Sequence, residues 1–151
     1  KKHQSIVSAL NTIAQHQQAF ISRGDDSGTH KKELSLWQAT HIKTDNKWYF
    51  SVGQGMGATL NIADEKQAYT LTDRGTFLAF KDKISLVIIN EGDDALFNPY
   101  HIMAVNPAKH THVRYQLAKK YIDFITGVEA QALIGAYKRH GEQLFYPDAS
   151  H

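Results

Sequence analysis

The chain has 151 residues, 42% of them apolar and 21% charged, and a formal net charge of +2. That composition suits one globular domain with a real core and excludes a disordered or fibrous chain. The positive residues are scattered rather than gathered in a stripe, which argues against a nucleic-acid partner.

No run of 18 apolar residues is present, so nothing reads as a membrane-spanning helix. There is no cysteine, which excludes disulfides and cysteine–zinc sites and is compatible with a bacterial periplasm. The chain opens at Lys1 with neither Met nor a signal peptide. The expectation is a processed form or one lacking an N-terminal part.

Residues 5–17 carry Ile6, Leu10 and Ile13 on one stripe, with Val7 and Ala14 beside it, which predicts a helix. Residues 19–22 read as a short strand, and 29–39 as a helix anchored by Leu34, Leu36 and Trp37. Residues 47–52 are rich in β-formers and read as a strand. A Gly-rich turn at 53–57 precedes a predicted helix over 58–66. Residues 69–72 form a predicted strand, and Asp73 is placed to cap a helix over Arg74–Phe80.

The continuous apolar run 84–90 predicts a strand buried on both faces. Residues 100–105 predict another, bounded by the breaks Asn98-Pro99 and Asn106-Pro107. Val113, Leu117, Tyr121 and Phe124/Ile125 mark an amphipathic helix to about Thr126. Gly127 interrupts, a second helix follows over 129–139, and the last ten residues read as loop. Short strands alternating with helices predict an α/β fold with a mixed or mainly parallel sheet. Ligands of such sheets sit at the carboxyl ends of strands, beside helix N-termini. The turns 22–29, 53–58 and 70–74 fit that geometry.

The first of these turns is the most informative. Ser-Arg-Gly-Asp-Asp-Ser-Gly-Thr, residues 22–29, joins a strand to a helix. Free N–H groups and the positive end of the helix dipole make such a start a natural anion site. Arg23 adds a planar fork of donors, Ser27 and Thr29 add hydroxyls, and Gly28 allows close approach. The competing reading is a plain cap, with Asp26 or Ser27 as N-cap and Arg23 in a local ion pair. The second turn, Gly-Gln-Gly-Met-Gly-Ala at 53–58, departs from the dinucleotide fingerprint at Ala58 and lacks the Lys-Ser/Thr of a phosphate loop. It reads either as a flexible turn or as a second set of amides aimed at the same ligand. In the third, Thr70 and Thr72 share one strand face and Asp73 caps the helix.

Nine histidines are present, but only His110 and His112 are close in sequence, with no clustered carboxylates and no His-Glu-x-x-His pattern. They read as solvated loop residues, and no metal or cofactor is expected. Ser27 lies in no nucleophile elbow, and no His and Asp order suggests a triad, so catalysis has little support. Asp25-Asp26 and Asp93-Asp94 read as turn and cap residues, and Trp37, Trp48, Tyr49 and Phe50 as core.

Residues 22–33, 53–63 and 69–76, in that order, resemble the tungstate-binding proteins of bacterial ABC importers. Asn98-Pro99-Tyr100, residues 104–107 and Leu-Phe-Tyr-Pro-Asp at 144–148 extend the resemblance almost to the end. It implies the two-lobed α/β fold of type II periplasmic binding proteins. Residues 1–98 would form the second lobe. Residues 99–151 would be the returning crossover and the C-terminal helices of the first lobe. It implies a periplasmic solute-binding component without enzymatic activity, which captures tungstate and hands it to a membrane permease. Arg23, Ser27, Gly28 and Thr29 would contact the oxyanion, with Met56, Gly57 and Thr70 as weaker carry-overs. A segment that precedes this chain in the family, or a second chain, would supply the opposite wall. Helix 113–125 would then expose apolar surface unless something covers it. Phosphate or molybdate is the alternative ligand, and a phosphate-handling enzyme the more distant one. Asp25 or Asp26 turned toward the ligand would favour phosphate, which keeps a proton; either turned to Arg23 or to backbone amides would favour tungstate.

Overall fold

In the computed structural model, which describes residues 4–149, Ser5 opens the first helix. Its hydroxyl accepts the Ser8 N–H at 3.2 Å at the head of α1 (Ile6–Gln15). A second cap comes from far along the chain: Asp93 Oδ2 accepts the Ile6 N–H at 2.8 Å. The chain then runs β1 (Phe20–Ser22), α2 (Gly28–Thr40), β2 (Tyr49–Ser51), α3 (Met56–Glu65), β3 (Tyr69–Thr70) and α4 (Arg74–Phe80). These elements lie in the first of two units, which part between Phe97 and Asn98.

The three strands form one parallel sheet in the order β2-β1-β3. Phe20 stands opposite both Tyr49 and Tyr69, and Ser22 opposite Ser51. Side chains alternate across β1, so its residues serve both faces. On one face Phe20 joins Ile6, Leu10 and Ile13 of α1, Leu36 and Trp37 of α2, and Trp48. On the other, Ile21 packs with Ala63 of α3 and Ala68. The Phe20 ring stacks on Tyr49 with centroids 5.8 Å apart and meets Trp37 edge-on at 5.1 Å. Each such ring pair adds about 0.5–1.5 kcal/mol beyond simple burial.

Parallel pairing has one consequence that governs the rest of the molecule. All three strands end at the same edge, and each leads through a turn into a helix. The N-termini of α2, α3 and α4 therefore rise from that edge, as the sequence predicts.

Several expectations fail. Residues 84–90 form no strand and are not buried: Val87 is 75% exposed and Ile89 64%. Ser85 bonds to Asp64, Leu86 packs against the Ile21 cluster, and Asn90 Nδ2 donates to Gln4 O. Residues 100–105 likewise form no strand. An apolar run needs a partner strand to become one, and the described residues supply none for either segment. Helix α3 begins at Met56 rather than Ala58, because Gly55 takes the extended N-cap conformation. Strand β3 stops at Thr70 rather than Thr72. Phe50 is not core but 40% exposed, under the Lys66 ammonium.

The second unit contains α5 (Tyr115–Ile125) and α6 (Val128–Ala136). Gly127 separates them as the N-cap of α6, and a Cβ there would lie 3.0 Å from the Asp123 carbonyl oxygen. Helix α6 stops at Ala136 rather than Arg139, because β4 (Lys138–Arg139) pairs antiparallel with β5 (Glu142–Gln143). That hairpin corrects the loop expected over the last residues; Ser150 and His151 lie outside the described residues. Leu117, Tyr121 and Phe124 on α5 are each more than half exposed, as expected for that helix.

Candidate functional site

The turn after β1 is held in shape by its own side chains. Gly24 and Asp26 both take positive φ, +63° and +59°. The His30 ring reaches back from α2, and its Nδ1 accepts the Asp26 N–H at 3.0 Å. Ser27 is the N-cap of α2, and its hydroxyl accepts the His30 N–H at 3.3 Å. Asp26 is therefore not the cap.

Arg23 donates from both Nε and Nη2 to Asp25 Oδ2, and Asp25 Oδ1 accepts the Ser27 N–H at 3.2 Å. Hydrogen bonding from Ser27, then from Arg23, lowers the Asp25 carboxyl to about 2. Asp25 is thus an ionised brace. It fixes the guanidinium plane and leaves Nη1 without a partner among the described residues.

The donors at the head of α2 are open. Within the described residues neither the Gly28 nor the Thr29 N–H is engaged, and nothing lies within 4 Å of a Cβ built on Gly28. The Thr29 hydroxyl is also unused there.

The second turn is stitched to the first. Val52 N–H donates to Ser22 O at 3.1 Å, and Gln54 N–H to Arg23 O at 3.0 Å. Gly24 rests against Ser51. Helix α3 starts at Met56 behind Gly55, which contributes no side-chain cap, so its first amides are open as well. Two helix starts with open first amides and one braced arginine share this edge. Their chemistry is that of an oxyanion cradle: donors, dipole ends and a fixed cation.

The other predicted residues stand apart. The Met56 side chain is 5% exposed and packs inward, so only its backbone faces the edge. A Cβ on Gly57 would lie 2.4 Å from the Phe80 ring, so this glycine serves helix packing. The Thr70 hydroxyl donates to Ile21 O at 2.8 Å, which spends its proton on the sheet. In the third turn Asp73 closes the head of α4 itself, accepting the Thr76 N–H and hydroxyl at 2.7 Å each. That carboxylate makes the third turn the least suited of the three to an anion.

Sequence reasoning missed three contributors, His30, Ser51 and Gln54, and one buried carboxyl, Glu33. His30 reads as solvated because its partner is an amide only four residues back. Glu33 is 3% exposed and accepts from the Tyr49 hydroxyl at 2.6 Å. Burial pushes its carboxyl up, and the Tyr49 bond opposes that. Among the described residues no group of three or more His, Asp or Glu clusters as metal ligands do.

Open helix starts at the carboxyl edge of a parallel sheet occupy the place where ligands of α/β folds bind. Residues 2–129 match the family described as a PBP superfamily domain, and the chain belongs to that family. It is 48% identical over 147 residues to a tungstate-binding protein TupA from Peptoclostridium acidaminophilum, covering 96% of this chain and 51% of that protein. Its fold is similar to the tungstate-binding protein TupA of Desulfovibrio alaskensis G20, with a TM-score of 0.84 and 39% identity. That likeness covers 97% of this chain and 61% of the other. It is also similar to the tungstate ABC transporter structure from Geobacter sulfurreducens, with a TM-score of 0.78 and 51% identity over 90% of this chain and 58% of that one. The chain thus spans about half the length of the curated relatives it matches. The α/β lobe expected from sequence is what the fold and these likenesses bear out.

Proposed function

We propose that this chain is part of the solute-binding component of an ABC importer and takes tungstate. The observation that carries the reading is the pairing of two open helix starts with Arg23 at one sheet edge. The oxyanion would accept from the Gly28 and Thr29 amides, the Thr29 and Ser27 hydroxyls and the Arg23 guanidinium. Amides at Met56 and Gly57 would complete this wall, with Thr70 at its margin. Residues 1–98 would form one lobe, and residues 99–151 the crossover and helices of the other. A preceding segment or another chain would supply the facing wall. Closure of two lobes would replace the hydration shell and bury the ion.

The state of Asp25 supports tungstate over phosphate. Tungstate and molybdate carry no proton at neutral pH and only accept hydrogen bonds. A carboxylate aimed at them would repel, and Asp25 is turned to Arg23 and Ser27 instead. Two curated relatives bear the name tungstate-binding protein TupA, which supports the same reading. The protein would work in the periplasm, pass its ion to a membrane permease, and carry out no catalysis.

Isothermal titration of the complete protein tests this, with tungstate, molybdate and phosphate as titrants. Tungstate should bind tightest, and Arg23→Ala should weaken it by about tenfold or more, the scale of a lost charge-assisted bond. Unchanged affinity in that variant would remove Arg23 from the site.

A further inference from the structure

Glu33 sits six residues beyond the Ser27 cap, on the face of α2 that packs on the sheet. It is a carboxyl almost without solvent, and nothing in the anion site uses it. Tyr49 of β2 donates its hydroxyl to it at 2.6 Å. Ser22, the last residue of β1, and Trp37, one helical turn on along α2, lie close enough to ease its charge. Neither closes a hydrogen bond by distance and angle: Ser22 Oγ and Trp37 Nε1 are buried without partners. Such unpaired groups are costly and rare. Here they gather around one acidic side chain, on the helix that starts at the cradle.

The connections of this cluster are what matter. Glu33 belongs to the helix whose first amides, at Gly28 and Thr29, are open among the described residues. Tyr49 lies two residues before Ser51, which touches Gly24, and the strand runs on into Val52 and Gln54, which bond to Ser22 and Arg23. We infer that Glu33 is a positioning residue for the cradle, its buried carboxyl clamped to Tyr49 so that the head of α2 and the turn after β2 keep a fixed spacing. This deepens the anion-binding reading and rests on it. The short bond crosses from helix to sheet, where simple apolar packing would allow α2 to slide. Ions held by rigid donors are sensitive to such supports behind the ligand.

The test is a substitution series in the complete protein, read by tungstate titration, by thermal midpoint and by amide resonances of Gly28 and Thr29 in the anion-free state. Glu33→Gln keeps an oxygen for Tyr49 and should bind within about threefold of wild type, whereas Glu33→Ala should bind about tenfold more weakly. Tyr49→Phe removes one hydroxyl only. It should also weaken binding several-fold and shift the Gly28 and Thr29 resonances. A purely structural role would lower the thermal midpoint in Glu33→Ala and Tyr49→Phe and leave affinity and those resonances alone; that result overturns the inference. If Glu33→Ala does not fold, Tyr49→Phe decides in the same way. A wild-type protein that gives no heat with tungstate refutes the anion reading instead. The Gly28 and Thr29 resonances then still report whether Glu33 sets the head of α2.

Discussion

Gly24 and Ser51 touch across the edge of the sheet: a Cβ built on Gly24 would lie 2.0 Å from Ser51 Oγ. Gly24 also holds φ at +63°, a conformation that L side chains rarely adopt. Gly24→Ala therefore meets two penalties, a strained backbone and a collision. It should lose about 1–3 kcal/mol of stability in chemical denaturation. The same change should weaken tungstate binding, because Arg23 and the Gln54 amide are fixed through this turn. Stability within a few tenths of a kcal/mol of wild type would show that the two turns are not coupled there.

Arg23 should not tolerate lysine. Its fork holds Asp25 through Nε and Nη2 while a third nitrogen stays available. An ammonium is a point charge and cannot do both. Arg23→Lys should keep the fold and lose about tenfold in tungstate affinity, as a bidentate geometry would. Equal affinity in calorimetry would mean that charge alone matters.

Acid should loosen the first turn. The folded state lowers Asp25 from 3.8 to about 2, so its ionised form is the one that folding favours. The stability it contributes is present above pH 3.8 and lost as pH falls toward about 2. Asp64, bonded to Ser85, and Asp93, bonded to the Ile6 and Ala95 amides, are lowered too and act in the same direction. Asp25→Asn should flatten the acid limb of an unfolding titration in that window. An identical acid limb in the variant would refute the brace.

Glu33 should act in the opposite sense. Burial raises its carboxyl above the ordinary 4.5, so folding favours the neutral form. Its contribution is present below pH 4.5 and is lost as pH rises through the raised value. Glu33→Gln removes that slope. Thermal midpoints of wild type and Glu33→Gln, followed upward from pH 4, should diverge in favour of the variant. Parallel curves would mean that Glu33 does not titrate in this range.

The core makes a plainer claim. Phe20 is 2% exposed and its ring meets both Trp37 and Tyr49. Phe20→Ala should cost about 3–5 kcal/mol, enough to unfold a marginal lobe. Circular dichroism at 25 °C checks it; a small loss would mean that the site collapses around the smaller side chain.

Much of the first unit is readable without coordinates. The stripe Ile6, Leu10, Ile13 specifies its helix by period alone, and Ser5, Ser27 and Asp73 cap as their residue types suggest. The apolar run 84–90 misleads for a definite reason. Such a run reports a demand for burial and says nothing about whether a partner strand lies beside it. Glu33 gives no signal for another reason: its hydroxyl partner is 16 residues along the chain.

The sequence by itself determined the local conformations and the chemistry on offer. Caps, helix starts, the arginine and the glycines that permit positive φ all act within a few residues. Tertiary structure alone decided where that chemistry meets. Parallel pairing brings three strand ends to one edge, sets Ser51 against Gly24 and Tyr49 against Glu33, and leaves the starts of α2 and α3 open while Asp73 closes α4. Those relations depend on register and packing between segments far apart in the chain, which no local pattern encodes.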